Sequence, residues 1–151
     1  MSKAAIGILE TRGMASLMAA TDAMLKSAEV QICGRHGIGS GWLTVAIEGQ
    51  VAAVQTAISI GETEANRSGE LINSRVVPRP EAMAVDAMPH GGGLGTGQVG
   101  QRAIGLLETQ GLTPLIVGAD AMVKSANVAL GGWAFIGGAL CHAPVLGDVA
   151  A

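Results

Sequence analysis

Tyrosine is missing from this chain of 151 residues, and two tryptophans and one phenylalanine are its aromatics. Few platforms are therefore available for stacking bases or sugar rings. Charge is scarce as well, with 9 Lys and Arg against 12 Asp and Glu and a formal net charge of −3. Without a basic excess there is no electrostatic footprint for nucleic acid or an anionic membrane, and neither partner is expected. Apolar runs stay far below the roughly 20 residues that span a bilayer, and the opening MSKAAIGILE lacks the long apolar stretch of a secretory leader. A soluble, cytoplasmic protein is expected. Two cysteines, Cys33 and Cys141, stand outside any CxxC spacing, which predicts two reduced structural thiols.

What the chain does have is small and apolar residues. A hydrophobic fraction of 49% argues for a folded core, and 23 glycines argue for close backbone approaches. Sliding the sequence against itself by 98 residues aligns Ala5–Ala53 with Ala103–Ala151 without a gap, and 22 of the 49 pairs are identical. AIGILETRGMASLMAATDAMLKSAEV in the first copy answers AIGLLETQGLTPLIVGADAMVKSANV in the second, a repeat of supersecondary size. Val54 to Pro80 have no counterpart, so the second copy should lack one helix and one strand. We expect residues 101–151 either to be completed by additional chain or by a neighbouring subunit, or to exchange amide hydrogens much faster than residues 4–78.

Within the first copy, Ala4–Glu10 reads as a buried strand. Met14–Ser27 carries Leu17, Met18, Thr21, Met24 and Leu25 at helical spacing, with Asp22 one turn before Lys26. Val30–Cys33 and Trp42–Glu48 read as strands joined by the glycine-rich loop GRHGIGSG, residues 34–41. Gln50–Asn66 is an Ala-rich helix ended by Gly69, and Leu71–Val77 is a strand stopped by Pro78 and Pro80. The order β-α-β-β-α-β is an α+β, ferredoxin-like split βαβ arrangement, repeated in tandem with a truncated second copy. The expected organisation is a complete domain over 1–89, a Gly-rich linker over 90–100 and a partial domain over 101–151; residues 81–88 have the composition of a short helix.

Chemistry-bearing motifs are few. GTGQVG at Gly95–Gly100 fits GxGxxG, but a working dinucleotide fingerprint needs a strand directly before it and a helix opening within it, and here a strand follows. His36, His90 and His142 have no metal-ligand spacing. Glu10 and Glu108, and Asp22 and Asp120, are repeat equivalents that would have to be assembled across copies to act as an acid–base pair. No nucleophile elbow or Walker loop occurs. The expectation is no catalytic residue, no metal, no cofactor and no enzyme.

ETRG, DAMLKSAEV, IGSG followed by WLTVAIEGQVAAV, and VVPRP together resemble bacterial microcompartment shell proteins, and ETQG, DAMVKSANV, FIGG and GDVAA repeat the resemblance over 103–151. It implies six-sided tiles, built from six single-domain chains or three tandem chains, that pave a protein shell around metabolic enzymes. By that resemblance the pore loop corresponds to Ile38, Gly39, Ser40 and Gly41, and in the second copy to Ile136, Gly137, Gly138 and Ala139. Tile-edge residues correspond to Lys26, Lys124 and Arg79. Implied partners are further copies of the chain as a trimer or hexamer, other shell proteins, encapsulated enzymes, and small polar metabolites passing the pore. The competing expectation from the residues is a ferredoxin-like oligomer binding a small regulatory ligand between subunits.

Overall fold

Ala5, Gly7 and Leu9 alternate with Ile6, Ile8 and Glu10 along the first strand, β1 (Ala5–Arg12), so small residues line much of one face. A computed structural model of the chain, describing residues 4–82, 84 and 103–151, shows what that face receives. The chain divides into two units, Met1–Pro80 and Glu81–Ala151. In unit one, β1 is followed by helix α1 (Met14–Ser27), strands β2 (Val30–Gly39) and β3 (Trp42–Gly49), helix α2 (Val51–Ser68) and strand β4 (Glu70–Val77). The strands form one antiparallel sheet in the order β2-β3-β1-β4. This is the ferredoxin-like arrangement expected from the element order.

Both helices pack on the same sheet face. Leu17, Ala20 and Met24 of α1 and Val54, Ala57, Ile58 and Ala65 of α2 close a core over Ala5, Leu9, Val45 and Ile47. Gly7 lets α2 come close: a Cβ there would stand 2.6 Å from Ile58 Cγ1 and 2.8 Å from Val54 Cγ1. Glu62 of α2 accepts a hydrogen bond from the Ser74 hydroxyl of β4, tying the helix to the strand that follows it. Asp22–Lys26 on α1 and Glu64–Arg67 on α2 are exposed pairs one turn apart and contribute little to stability.

One boundary differs from the sequence expectation. GRHGIGSG is not a loop throughout, because β2 continues to Gly39 and the turn is Ser40–Gly41. Glycine's poor strand preference is outweighed here by ladder pairing. Gly34, Arg35, His36 and Gly37 lie opposite Ala46, Val45, Thr44 and Leu43, with register shifts at Ile32/Gly34 and Gly37/Gly39 absorbing the irregularity. His36 therefore belongs to a strand.

Unit two repeats the beginning of this plan: β5 (Ala103–Gln110), α3 (Leu112–Ser125), β6 (Ala129–Leu130), β7 (Ala134–Gly137) and β8 (Leu140–Gly147). Four strands replace the expected three because the counterpart of β2 is broken over Gly131–Trp133. Opposite the break stands Pro144, where unit one has Ala46; proline offers no N–H to a ladder, and the Gly131 N–H donates to the Pro144 carbonyl at 2.8 Å. The sheet runs β5-β8-β6, with β7 also on β8. Among the described residues β5 has one neighbour, whereas β1 lies between β3 and β4. Ile6 and Ile8 are buried, while their counterparts Ile104 and Leu106 are 52% and 65% exposed.

The expected linker at 90–100, with His90 and GTGQVG, lies outside the described residues, as does most of the expected helix at 81–88. Among the described residues no helix is long and apolar enough to cross a membrane.

Candidate functional site

The expected pore segments fold as tight hairpin turns, one in each unit. Between β2 and β3 the chain reverses over Ser40 and Gly41, with φ 56° and 75° and Gly39 before them at 90°. Between β7 and β8 it reverses over Gly138 and Ala139, with φ 58° and 62° and Gly137 before them at 109°. Two central residues with positive φ match the right-handed twist of the flanking strands. Each turn is tied to the start of its unit's first helix, since the Gly13 N–H donates to the Gly41 carbonyl and the Gly111 N–H to the Ala139 carbonyl, both at 2.8 Å.

Ile38 is buried beneath the first turn, leaving Gly39, Ser40 and Gly41 exposed. Ser40 thus presents a hydroxyl on a rigid tip. In unit two Gly137 and Gly138 are exposed, Ile136 lies in β7, and the Gln110 amide donates to the Gly138 carbonyl at 3.4 Å. No side chain at 138 replaces the Ser40 hydroxyl. Gly39 and Gly137 have open space where a Cβ would stand, so their φ values, beyond the left-handed helical region, explain the glycine. We expect Gly39→Ala to lower unfolding free energy by about 1–2 kcal/mol, and Gly41→Ala by less than half of that, because Ala139 already occupies the equivalent position. Urea denaturation of the two variants checks the difference.

The expected edge residues lie at element ends. Lys26 is in the last turn of α1, 74% exposed at its side chain and 2.6 Å from Asp22. Lys124 repeats this in α3, 2.6 Å from Asp120, but Asp120 is buried and also accepts the Glu81 backbone N–H at 2.8 Å. Arg79 follows β4 between Pro78 and Pro80, exposed, with φ 51°.

Two features escape sequence reasoning because they depend on the neighbours each copy has and not on its own letters. Glu10 is buried, accepting hydrogen bonds from Thr44 Oγ1 at 3.1 Å and Asn73 Nδ2 at 3.4 Å, whereas its counterpart Glu108 is exposed. A carboxylate held by neighbouring strands in this way has a structural role. The outer face of α1 also differs from that of α3: Met18 is 64% exposed and its counterpart Ile116 only 4%, with Met14 and Leu112 contrasting in the same sense.

Cys33 and Cys141 are both free thiols. Desolvation first, and then the Glu48 charge, push the Cys33 thiol up to about 11 against a backbone hydrogen bond that lowers it. Its thiolate is therefore rare at neutral pH. At pH 8 the thiolate fraction of Cys33 should be about two hundredfold below that of an ordinary thiol with pKa near 8.5, and because a more basic thiolate is the better nucleophile its alkylation should run more than tenfold slower and keep accelerating up to pH 11, as mass spectrometry of timed samples would show. Burial lowers the pKa of His36, favouring the neutral ring. Among the described residues no three His, Cys, Asp or Glu side chains cluster as a metal site.

The profile of the BMC domain matches residues 5–80 and, a second time, 103–151. The chain belongs to the BMC domain family. Carboxysome assembly protein CcmO of Synechocystis is 38% identical over 157 residues, covering 99% of this BMC chain and 53% of that protein. CcmO of Synechococcus elongatus is 36% identical, covering 96% of this chain and 55% of its own length. The BMC chain therefore spans about half the length of these relatives. The bacterial microcompartment shell protein EutM of Escherichia coli is 41% identical over 87 residues, 58% of this chain and 90% of EutM. The crystal structure of a microcompartment protein from Desulfitobacterium hafniense superposes with a TM-score of 0.74 at 29% identity, covering 99% of this chain and 81% of that one. The tandem BMC reading thus agrees with sequence and fold alike.

Proposed function

We propose that this chain is a structural, non-catalytic shell protein of a bacterial microcompartment in the cytoplasm. Its BMC units pack side by side into six-sided tiles, three tandem chains to a tile, and the turns at Gly39–Gly41 and Gly137–Ala139 surround a central opening for small polar metabolites. Other shell proteins adjoin the tile at Lys26, Arg79 and Lys124, and the encapsulated enzymes lie on one side of it. The observation that carries the reading is the repetition of one rigid, positive-φ hairpin in both units, which suits equivalent positions around a pseudo-six-fold axis.

The unequal helix faces support it. Met14, Met18, Leu25 and Ile32 form an exposed apolar patch on unit one, larger than scattered surface residues require. The same positions at the start of α3 are buried. Packing against a neighbouring copy would remove the α1 patch from water.

The pore assignment is tested at Ser40. A leucine there places apolar bulk at each first-unit turn while the second-unit turns keep Gly138, so half of the positions change. We expect assembly to persist and the flux of a small polar solute into intact shells to fall severalfold without vanishing. Unchanged flux with normal assembly would remove Ser40 from the route.

A further inference from the structure

Residues 34–37 read GRHG where their repeat counterparts, 132–135, read GWAF. The two large changes fall on a difference in shape between the units. In unit one a groove of about 270 Å³ runs between α1 and β2, lined by Leu17, Met18, Leu25, Ile32, Arg35 and Val45 among others. In unit two Trp133 stands at the position of Arg35 and is 5% exposed, and Ala143 takes the place of Val45, leaving room for the larger ring. Leu115 and Ile116, the counterparts of Leu17 and Met18, are buried as well. A buried indole therefore replaces the exposed guanidinium at the rim, and the face that is open in unit one is closed in unit two.

The second change supplies a projection. Phe135, the one phenylalanine of the chain, is 53% exposed on β7. The Trp133 ring lies beside it, with centroids 6.5 Å apart, and its counterpart in unit one is Gly37, which has no side chain. Unit one thus carries a groove and no projection, and unit two a projection and a closed face. We propose that Phe135 of one copy seats in the α1–β2 groove of another, which rests on the reading of the chain as a tile subunit. Charge favours this occupant: Arg35 has no ion-pair partner among the described residues, and a guanidinium is attracted to the negative face of an aromatic ring. The Met14 and Met18 thioethers at the same groove pack favourably on aromatic edges and adapt to their shape. Because the pairing runs from second unit to first, the contact is head-to-tail, the kind that closes rings. It does not depend on the missing counterparts of α2 and β4, since the groove lies within unit one and β8 separates β7 from β5.

The test places the photoreactive p-benzoylphenylalanine at position 135 of the full chain. Irradiation is expected to join residue 135 of one chain to Met14 or Met18 of another, as peptide mapping of the two-chain band reads. Phe135→Ala should raise the chain concentration at which rings half-dissociate about tenfold. Both side chains are exposed, so the fold is not at stake, and Met18→Ala added to Phe135→Ala should weaken the ring less than twofold further, because the partner of Met18 is already gone. Cross-links that form elsewhere or only within one chain, an unchanged Phe135→Ala ring, or losses that simply multiply in the double variant would each overturn the proposal. Native mass spectrometry reads ring formation by the unaltered chain separately: rings without this contact leave the shell reading standing, and absence of rings removes both.

Discussion

Replacing Gly7 with valine is expected to cost unit one about 3 kcal/mol or more, while the same change at Gly105 costs less than half as much. A side chain at Gly7 must displace Ile58 and Val54 together, since three of their atoms lie within 2.9 Å of a Cβ there. Both are stiff β-branched residues on a helix held in the core, and overpacking of this kind costs about 1–3 kcal/mol for smaller insertions. At Gly105 the Cβ would meet Val145 Cγ1 at 2.6 Å, but Val145 lines an open cavity of about 330 Å³ and has room to turn. Valine's strand preference offsets part of the remaining cost. Urea denaturation with amide exchange read separately on β1 and β5 measures the two effects. Equal losses would mean that the approach of α2 does not set the requirement for glycine.

The second large effect is on assembly. Lys26→Asp should leave the fold nearly untouched, because the exposed Asp22–Lys26 pair is worth at most about 1 kcal/mol and a like-charge pair one turn apart costs a few tenths. If Lys26 lies where tiles meet, the substitution reverses a charge at every junction, and such juxtapositions oppose association by several kcal/mol. Individual tiles are then expected to persist in solution while extended sheets disappear from electron micrographs. Intact sheets, or loss of the tile itself, would remove Lys26 from the edge.

Much of this architecture is legible in the letters because unit one obeys simple periodicities. Leu17, Met24 and Ala20 recur at helical spacing and become the α1 core; Gly69 and the Pro78–Pro80 stop end α2 and β4 near the expected positions. The extension of β2 through Gly34 and Gly37 is not legible, since its stability comes from the facing strand β3 and not from its own residues. The break over Gly131–Trp133 has a readable signal in Pro144, visible once the two copies are aligned and Ala46 is seen to be replaced. Burial is the least legible property. Glu10 and Glu108, or Ile6 and Ile104, are identical residues with opposite exposure, because burial depends on which neighbours each copy possesses. The turn residues are readable as glycine-rich but not as a two-residue reversal, which needs the dihedral angles of Ser40 and Ala139.

Tandem units that tile a surface around a pseudo-six-fold axis, as proposed, must close into a ring of fixed stoichiometry. Native mass spectrometry of the purified chain at micromolar concentration, where each chain contributes 15.1 kDa, tests it most directly. A dominant closed species of three chains, about 45 kDa, is expected, giving six units around one opening. A chain that remains monomeric, or closes as a dimer, would contradict it.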